Sequence, residues 1–389
     1  MSGASDGPAP LVASSLAPHV LFAILDWGLG HATRSWPLIL AACRSGAQVT
    51  LASRGVAAQW LQQRMAEADA HEQRSGRATW RWQLVEKPGT DIRYAQGGAM
   101  LPVIALQMPA FVRSIARERK WTADCIKQLG ITHVVSDNCY GVHPRDHAVP
   151  SVLISHQVSP PLPRLLRASG RARVRQWARR FSEVWIPDLE GNVMGGVLSV
   201  PTFSHHRFIG PLSRFSVDTG PEVETPAHQG NAAALVGLVS GPEPQRSLME
   251  EALRTCFQRD GRSALLFAGR PSGGEETHGR VRTLYDAGDA HIRTALMQAE
   301  CIVCRSGYST LMDLAVLGRK AALVPTPGQP EQEYLARLWS DSFGWPHIDQ
   351  RQLVHFQPEA APGKDWEESG AEAAEWMTKW LQSRAPFGA

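Results

Sequence analysis

The stretch from residue 304 to 336, CRSGYSTLMDLAVLGRKAALVPTPGQPEQEYLA, constrains this chain more than any other. It reads as a strand end, a glycine turn, a helix, a second strand and an acidic helix start. The apolar run Cys301-Ile302-Val303-Cys304 has the length of a buried strand and stops at Arg305-Ser306-Gly307. Tyr308, Ser309 and Thr310 then lead into Leu311, Leu314, Ala315 and Leu317, which recur at helical spacing. The start of a helix leaves backbone N–H groups unpaired and carries a partial positive charge, which suits a phosphate. After the next strand, 321–324, the segment Thr326-Pro327-Gly328-Gln329-Pro330-Glu331-Gln332 puts a carboxylate at a second helix start. A carboxylate there can accept both hydroxyls of a ribose.

Three further segments follow the same scheme. HVLFAILDWGLGHATRSWPLI puts a strand, 19–25, before the turn Gly28-Leu29-Gly30-His31 and a helix. RFIGPLSRF, 207–215, reads as a strand and exit segment closing a first domain. AALVGLVSGPEPQR runs a strand into Ser240-Gly241, with a helix from about residue 244. Each glycine turn is a weak signal alone, but the order and spacing of the segments are specific. Together they resemble the GT-B glycosyltransferases, and among them the MurG-like group with a family 28 type C-terminal domain. The resemblance covers most of the chain. It implies an α/β fold, GT-B, of two Rossmann-like domains facing a central crevice, with the nucleotide of a UDP-sugar held by the C-terminal half. The chain departs from the lipid-II enzyme of that group in one respect: its first turn is Trp27-Gly28-Leu29-Gly30-His31 and not a glycine triplet. That enzyme's acceptor therefore does not carry over.

The rest of the chain fits this outline. In the first half, strands are expected at 19–25, 48–52, 80–85, 133–136, 152–155 and 184–186, and helices at 35–45, 102–117 and 122–129. Ser35 is expected as N-cap of the first helix, which would keep Pro37 in its first turn. In the second half, strands are expected at 234–239, 264–268, 301–304 and 321–324, and helices near 244–258, 289–299, 310–317 and 331–340. Such alternation implies mostly parallel sheets covered on both faces, with a crevice at the carboxyl ends of the strands. The expected organisation is a disordered leader at 1–17, an N-terminal acceptor domain at 18–215, a linker at 216–231, a nucleotide-sugar-binding domain at 232–360 and a C-terminal segment at 361–389. By resemblance, the helix of that last segment crosses back onto the first domain.

Composition excludes some classes. With 389 residues the chain can hold two or three cores, and a formal charge of +3 does not demand a nucleic acid. The six cysteines show no secreted-framework spacing, so free thiols in a reducing cytoplasm are the simplest expectation. Cys301 and Cys304 invite a zinc or redox reading, but no second pair follows and buried-strand residues separate them. The first residues lack a basic n-region and a continuous apolar run, and no window approaches the roughly 20 apolar residues of a membrane span. RLLRASGRARVRQWARRF, 164–181, carries seven arginines among Leu165, Leu166, Val174, Trp177 and Phe181. Two readings stay open for it: an ordinary solvated helix face, or peripheral contact with anionic lipid at the inner membrane face.

Glycosyl transfer needs a stabilised diphosphate leaving group, a base for the acceptor hydroxyl and a dry site. His31, at the first turn, titrates near neutrality and is the candidate base, with helix capping as its plainer role. Asp137 is the reserve base. Asp26 either orients the imidazole or is only a polar strand end, and Arg34 meets an anion or is solvated. Asp26, Asn138 and His156-Gln157 lie at strand ends, where they either line the acceptor side or serve only as strand-end hydrogen bonders. On the donor side, Gly30, Ser240, Gly241, Arg246 and Gly269 stand at the turns. Arg305, Ser306, Gly307, Tyr308, Ser309 and Thr310 form the stronger phosphate candidate. By resemblance Glu331 takes the ribose, and Gln329 or Gln332 the sugar hydroxyls. No Asp-x-Asp triplet is present, which favours a site without a metal. The expected function is transfer of a sugar from a nucleotide donor, UDP-linked, to an unidentified acceptor, lipid-linked acceptors included, with inversion and no resident cofactor. A nucleotide-sugar hydrolase or epimerase on the same fold, and a non-catalytic sugar-nucleotide binder, are the alternatives.

Overall fold

The structure is a computed structural model, which describes residues 17–90, 100–146, 148–216, 233–241, 243–269, 273–360 and 370–383. Nearly all of the expected leader and linker, and the start of the C-terminal segment, lie outside the described residues.

The first half runs β1 (His19–Ile24), α1 (Gly30–Arg44), β2 (Gln48–Ser53), α2 (Gly55–Arg74), β3 (Trp82–Glu86), α3 (Met100–Leu129), β4 (His133–Asp137), β5 (Ser151–Ile154), α4 (Arg167–Ala178), β6 (Glu183–Ile186) and β7 (His206–Phe208). Among the described residues these strands form a seven-stranded parallel sheet in the order β3-β2-β1-β4-β5-β6-β7. All six residues of β1 are buried, which is why HVLFAI shows no polar alternation: helices cover both faces. The second half runs β8 (Leu235–Leu238), α5 (Gln245–Asp260), β9 (Ala264–Phe267), β10 (Glu275–His278), β11 (Val281–Leu284), α6 (Asp289–Gln298), β12 (Cys301–Cys304), α7 (Tyr308–Val316), β13 (Ala322–Leu323) and α8 (Pro330–Phe343). Its six-stranded sheet has the order β10-β11-β9-β8-β12-β13, parallel except for the exposed edge strand β10. The last helix, α9 (Glu372–Ser383), lays Ala373, Met377, Trp380 and Leu381 into the core of the first half, where Trp380 meets His133 and Trp185 edge-on.

Strand order fixes where a site can form. From β1 the chain proceeds outward through β2 and β3, then returns to β1's other side for β4 to β7. The loops leaving β1 and β4 therefore diverge at the carboxyl edge and open a crevice. In the second sheet the corresponding switch lies between β8 and β12. The two edges face each other, held by Arg214 of the exit segment, which binds Asp289 at 2.9 Å and Asp313 at 3.1 Å, and by Ser213, whose hydroxyl donates to Asp313 at 2.7 Å. Trp339 of α8 adds an indole N–H bond to the Met194 carbonyl at 2.9 Å.

Several elements differ from the sequence expectation. Helix α1 starts at Gly30, so Ser35 is inside it and not its N-cap, and Pro37 lies in its interior. The expected pair of helices at 102–117 and 122–129 is one helix, α3. α2 and the β10–β11 hairpin were not expected; α2 is largely polar and the hairpin strands are four residues each. All six cysteines carry free thiols. Cys301 and Cys304 enter different core clusters on opposite faces of β12, so they cannot share a metal.

Candidate active site

The site grows from the turn after β1. Gly28 has φ +99°, a left-handed conformation that glycine adopts at little cost. Its neighbour Gly30 opens α1, where a side chain's Cβ would stand 3.0 Å from the Ser309 hydroxyl oxygen. That hydroxyl donates to the Gly30 carbonyl at 2.9 Å, so the N-terminus of α7 meets the N-terminus of α1 across the crevice.

His31, the second residue of α1, places Nδ1 3.0 Å from Oδ1 of Asp137 at the end of β4. Asp137 is fully buried and accepts further bonds from Arg34 Nε at 2.8 Å, Arg34 Nη2 and Ser35 Oγ at 2.9 Å. Burial alone would raise the Asp137 carboxyl; the charges and hydrogen bonds of Arg34 and His31 outweigh it and hold the group well below the usual carboxylate range. An acid so depressed, with both oxygens engaged, is a poor base, which removes Asp137 from the reserve role and makes it the group that orients His31. Asp26 does not touch the imidazole; it pairs with Arg54 and lies 3.6 Å from Lys87. Burial, then the charge of Arg34, lower the His31 pKa, with Asp137 opposing. The imidazole is thus neutral near pH 7 with Nδ1–H directed to Asp137, leaving the Nε2 lone pair for a proton.

Arg34 is not solvated: it is 2% exposed and also reaches Nδ1 of His156 at 2.7 Å. His156, after β5, places Nε2 2.8 Å from Glu331 Oε1 at the start of α8, and Gln157 Nε2 donates to Oε2 at 2.7 Å. The His156 ring stacks on Tyr308, with centroids 4.1 Å apart, and the Tyr308 hydroxyl donates to the Pro187 carbonyl at 2.6 Å. Asn138 follows Asp137 with φ +54°, and its buried Oδ1 has no partner among the described residues. It lines a small cavity with Asp26, Trp27, Lys87 and Tyr140.

The expected donor residues divide into two groups. Gly307, Tyr308, Ser309 and Thr310 form the start of α7; the amides of 308–310 make no hydrogen bond to a described residue, and Gly307 supplies no side-chain cap. Gln329 stands at the N-cap position of α8, with a buried Oε1 that has no partner among the described residues. Glu331 lies beside it. The second group is committed to holding loops. Arg305 is 0% exposed, and its Nη1 and Nη2 donate to the carbonyls of Val324 and Pro325 in one segment and of Gln245 in another, so it clamps two loops, while its buried Nε has no partner among the described residues. Burial pushes its pKa down to about 10. The Ser306 hydroxyl donates to the Gln332 carbonyl at 2.8 Å, and Gln332 Oε1 accepts the Thr326 amide at 2.9 Å. Arg246 is engaged by Glu243, by Glu250 at 3.2 Å and by the Ala268 carbonyl at 3.3 Å. Ser240 and Gly241 are exposed in the loop after β8, and Gly269, with φ +57°, brings the end of β9 close to the Val239 carbonyl.

The sequence named Arg34 but left it between an anion and solvent, and it read Ser35 as a helix cap. Thr33, Arg34 and Ser35 are polar residues buried in a helix that from Ala32 to Cys43 is otherwise apolar, and that contrast was the signal for a buried role. Gln157 was expected only as a polar residue at a strand end; its bond to Glu331 carried no signal.

Residues 289–355 match the profile of the glycosyltransferase family 28 C-terminal domain. No curated protein sequence matches the chain. Among solved structures, Arabidopsis thaliana UGT89C1 complexed with UDP-L-rhamnose is similar with TM-score 0.60 and 14% identity, over 96% of this chain and 100% of that one. The glycosyltransferase SnogD from Streptomyces nogalater gives 0.53 and 13%, over 95% and 96%. LpCGTa in complex with UDP gives 0.54 and 14%, over 95% and 94%. At such identities the likeness speaks for the fold, and the profile match for the type of C-terminal domain. On both counts the chain shares the two-domain α/β fold of these proteins and carries a segment, 289–355, of the glycosyltransferase family 28 C-terminal type.

Proposed function

We propose that the protein transfers a sugar from a UDP-linked donor to an acceptor hydroxyl, with inversion and without a metal. The observation that carries this reading is the His31–Asp137 pair, set at the crevice beside the unpaired amides of α7. In the step, the acceptor oxygen attacks the anomeric carbon as His31 Nε2 takes its proton. The bond from that carbon to the phosphate oxygen breaks on the opposite face, and its electron pair leaves with UDP. Negative charge grows on the diphosphate near the start of α7, where backbone N–H groups and the helix dipole can stabilise it. Glu331 takes donor hydroxyls on the lone pairs left beside its bonds to His156 and Gln157, and the unpartnered Gln329 Oε1 takes another. The complexes of UGT89C1 with UDP-L-rhamnose and of LpCGTa with UDP support a uridine nucleotide.

The acceptor is proposed to be lipid-linked, reached from the inner membrane face by a protein that stays peripheral in the cytoplasm. No described helix is long and apolar enough to cross a membrane. Support comes from the face made by α3, α4 and the 3-10 turn before α4. Leu165 there is 95% exposed and Leu106 84%, with Val112 and Met108 also exposed. The seven arginines of 164–181 make no ion pair with a described carboxylate, and no acidic residue lies between Asp146 and Glu183. Exposed apolar side chains on elements rich in arginine suit anionic lipid.

The donor assignment is tested by thermal unfolding with UDP, ADP and GDP. Ligand at ~100 times its dissociation constant adds about 2.7 kcal/mol of stability. UDP is expected to raise the melting temperature most, and an equal or absent response to all three would reject the uridine site.

A further inference from the structure

Arg34 spends its guanidinium in three directions: Nε and Nη2 on the two oxygens of Asp137, and Nη1 on His156 Nδ1 at 2.7 Å. A guanidinium has donors only. The His156 Nδ1 facing it must therefore be a lone pair, which leaves the ring proton on Nε2, 2.8 Å from Glu331 Oε1. An ionised carboxylate has acceptors only, so His31, 3.0 Å from Asp137 Oδ1, carries its proton on Nδ1 and keeps the Nε2 lone pair. One side chain thus fixes opposite tautomers on two histidines. His31 is set to accept a proton, and His156 is set to donate to a carboxylate of the opposite domain. His31 and Arg34 are three residues apart on α1, one helical turn, so a single face of one helix delivers both groups.

We propose that Arg34 is the positioning residue of this site, joining its acceptor and donor halves by fixing His31 as base and His156 as hydrogen-bond donor to Glu331. The proposal rests on the reading of His31 as the base. A plain structural ion pair with Asp137 would need no third partner, whereas here the third N–H direction meets His156. Lysine carries the same charge but is a point donor without the planar fork, and cannot hold both oxygens of Asp137 and the imidazole at once.

The test uses the full chain labelled with ¹⁵N-histidine near neutral pH, with signals assigned by their loss in His31→Gln and His156→Gln. In the wild type, His31 is expected as the Nδ1–H tautomer and His156 as the Nε2–H tautomer. In Arg34→Lys, folded by circular dichroism, His156 is expected to lose its single tautomer. In Arg34→Gln the acid limb of the UDP-sugar turnover profile should also move to higher pH, because a cation beside His31 is gone. Among the described residues, the charged and titratable groups facing His31 are Arg34, Asp137, His156 and Glu331. Reversed tautomers in the wild type overturn the proposal even if neither variant folds, and unchanged tautomers in both variants overturn it as well. If the tautomers are as stated but no UDP-sugar is turned over, the positioning stands and the transferase reading fails.

Discussion

At the scale of single residues, the account turns on how one carboxylate is used. Asp137→Asn keeps the shape but leaves the buried Arg34 cation uncompensated. Breaking a buried pair by removing one partner costs about 3–5 kcal/mol, so denaturant unfolding should report a loss of that order. The same substitution removes the anion that holds His31 in its Nδ1–H form, and turnover should fall with it. In the wild type, the lowered His31 pKa predicts an acid limb of activity below the ordinary histidine value of 6.5. The sign follows from the base being active when neutral: activity is lost as pH falls through the folded-state value. An acid limb above 6.5 would mean that another group is the base. His31 was legible in the sequence because it follows a glycine turn at a strand end, and Asp137 because it ends the next strand but two. Their contact was not, since it joins residues 106 positions apart. Arg305 misled for the opposite reason: an arginine beside a glycine turn suggests a phosphate ligand, yet its fork serves three backbone carbonyls.

At the scale of elements, the strand–turn–helix units were readable from their apolar runs and glycines, as for β12 and α7, whose bounds differ little from those expected. The polar α2 carried a weaker periodic signal, and the start of α1 was obscured by Ser35 and Pro37, which mimic a helix start inside the helix. The basic stretch at 164–181 was readable as composition only; the structure adds that Leu165 and Leu166 stand exposed and that Arg173 and Trp177 of α4 line a cavity with Met108 and Val112 of α3. If this face rests on lipid, the protein should sediment with vesicles containing an anionic phospholipid and much less with neutral ones, and binding should weaken in salt. Replacing Leu165, Leu166 and Leu106 by serine should reduce sedimentation while leaving the unfolding curve unchanged, since all three are exposed. Equal recovery with anionic and neutral vesicles, or none with either, would contradict the membrane reading.

At the scale of the whole molecule, two mostly parallel sheets with facing carboxyl edges follow from strand order, and alternation of strands and helices made that architecture legible early. The contacts that close the crevice were not legible, because His156 to Glu331 and Ser309 to Gly30 pair residues from different domains. In the proposed function, the crevice closed by those contacts holds a nucleotide sugar on one side and a histidine base on the other. The most direct measurement compares wild type and His31→Ala in UDP-sugar turnover and, on the same samples, in UDP affinity by calorimetry. General-base help is worth about 10²–10⁴ in rate and acts on the acceptor proton. The account predicts a loss of that size in turnover with UDP affinity nearly unchanged, and near-normal turnover in His31→Ala would contradict it.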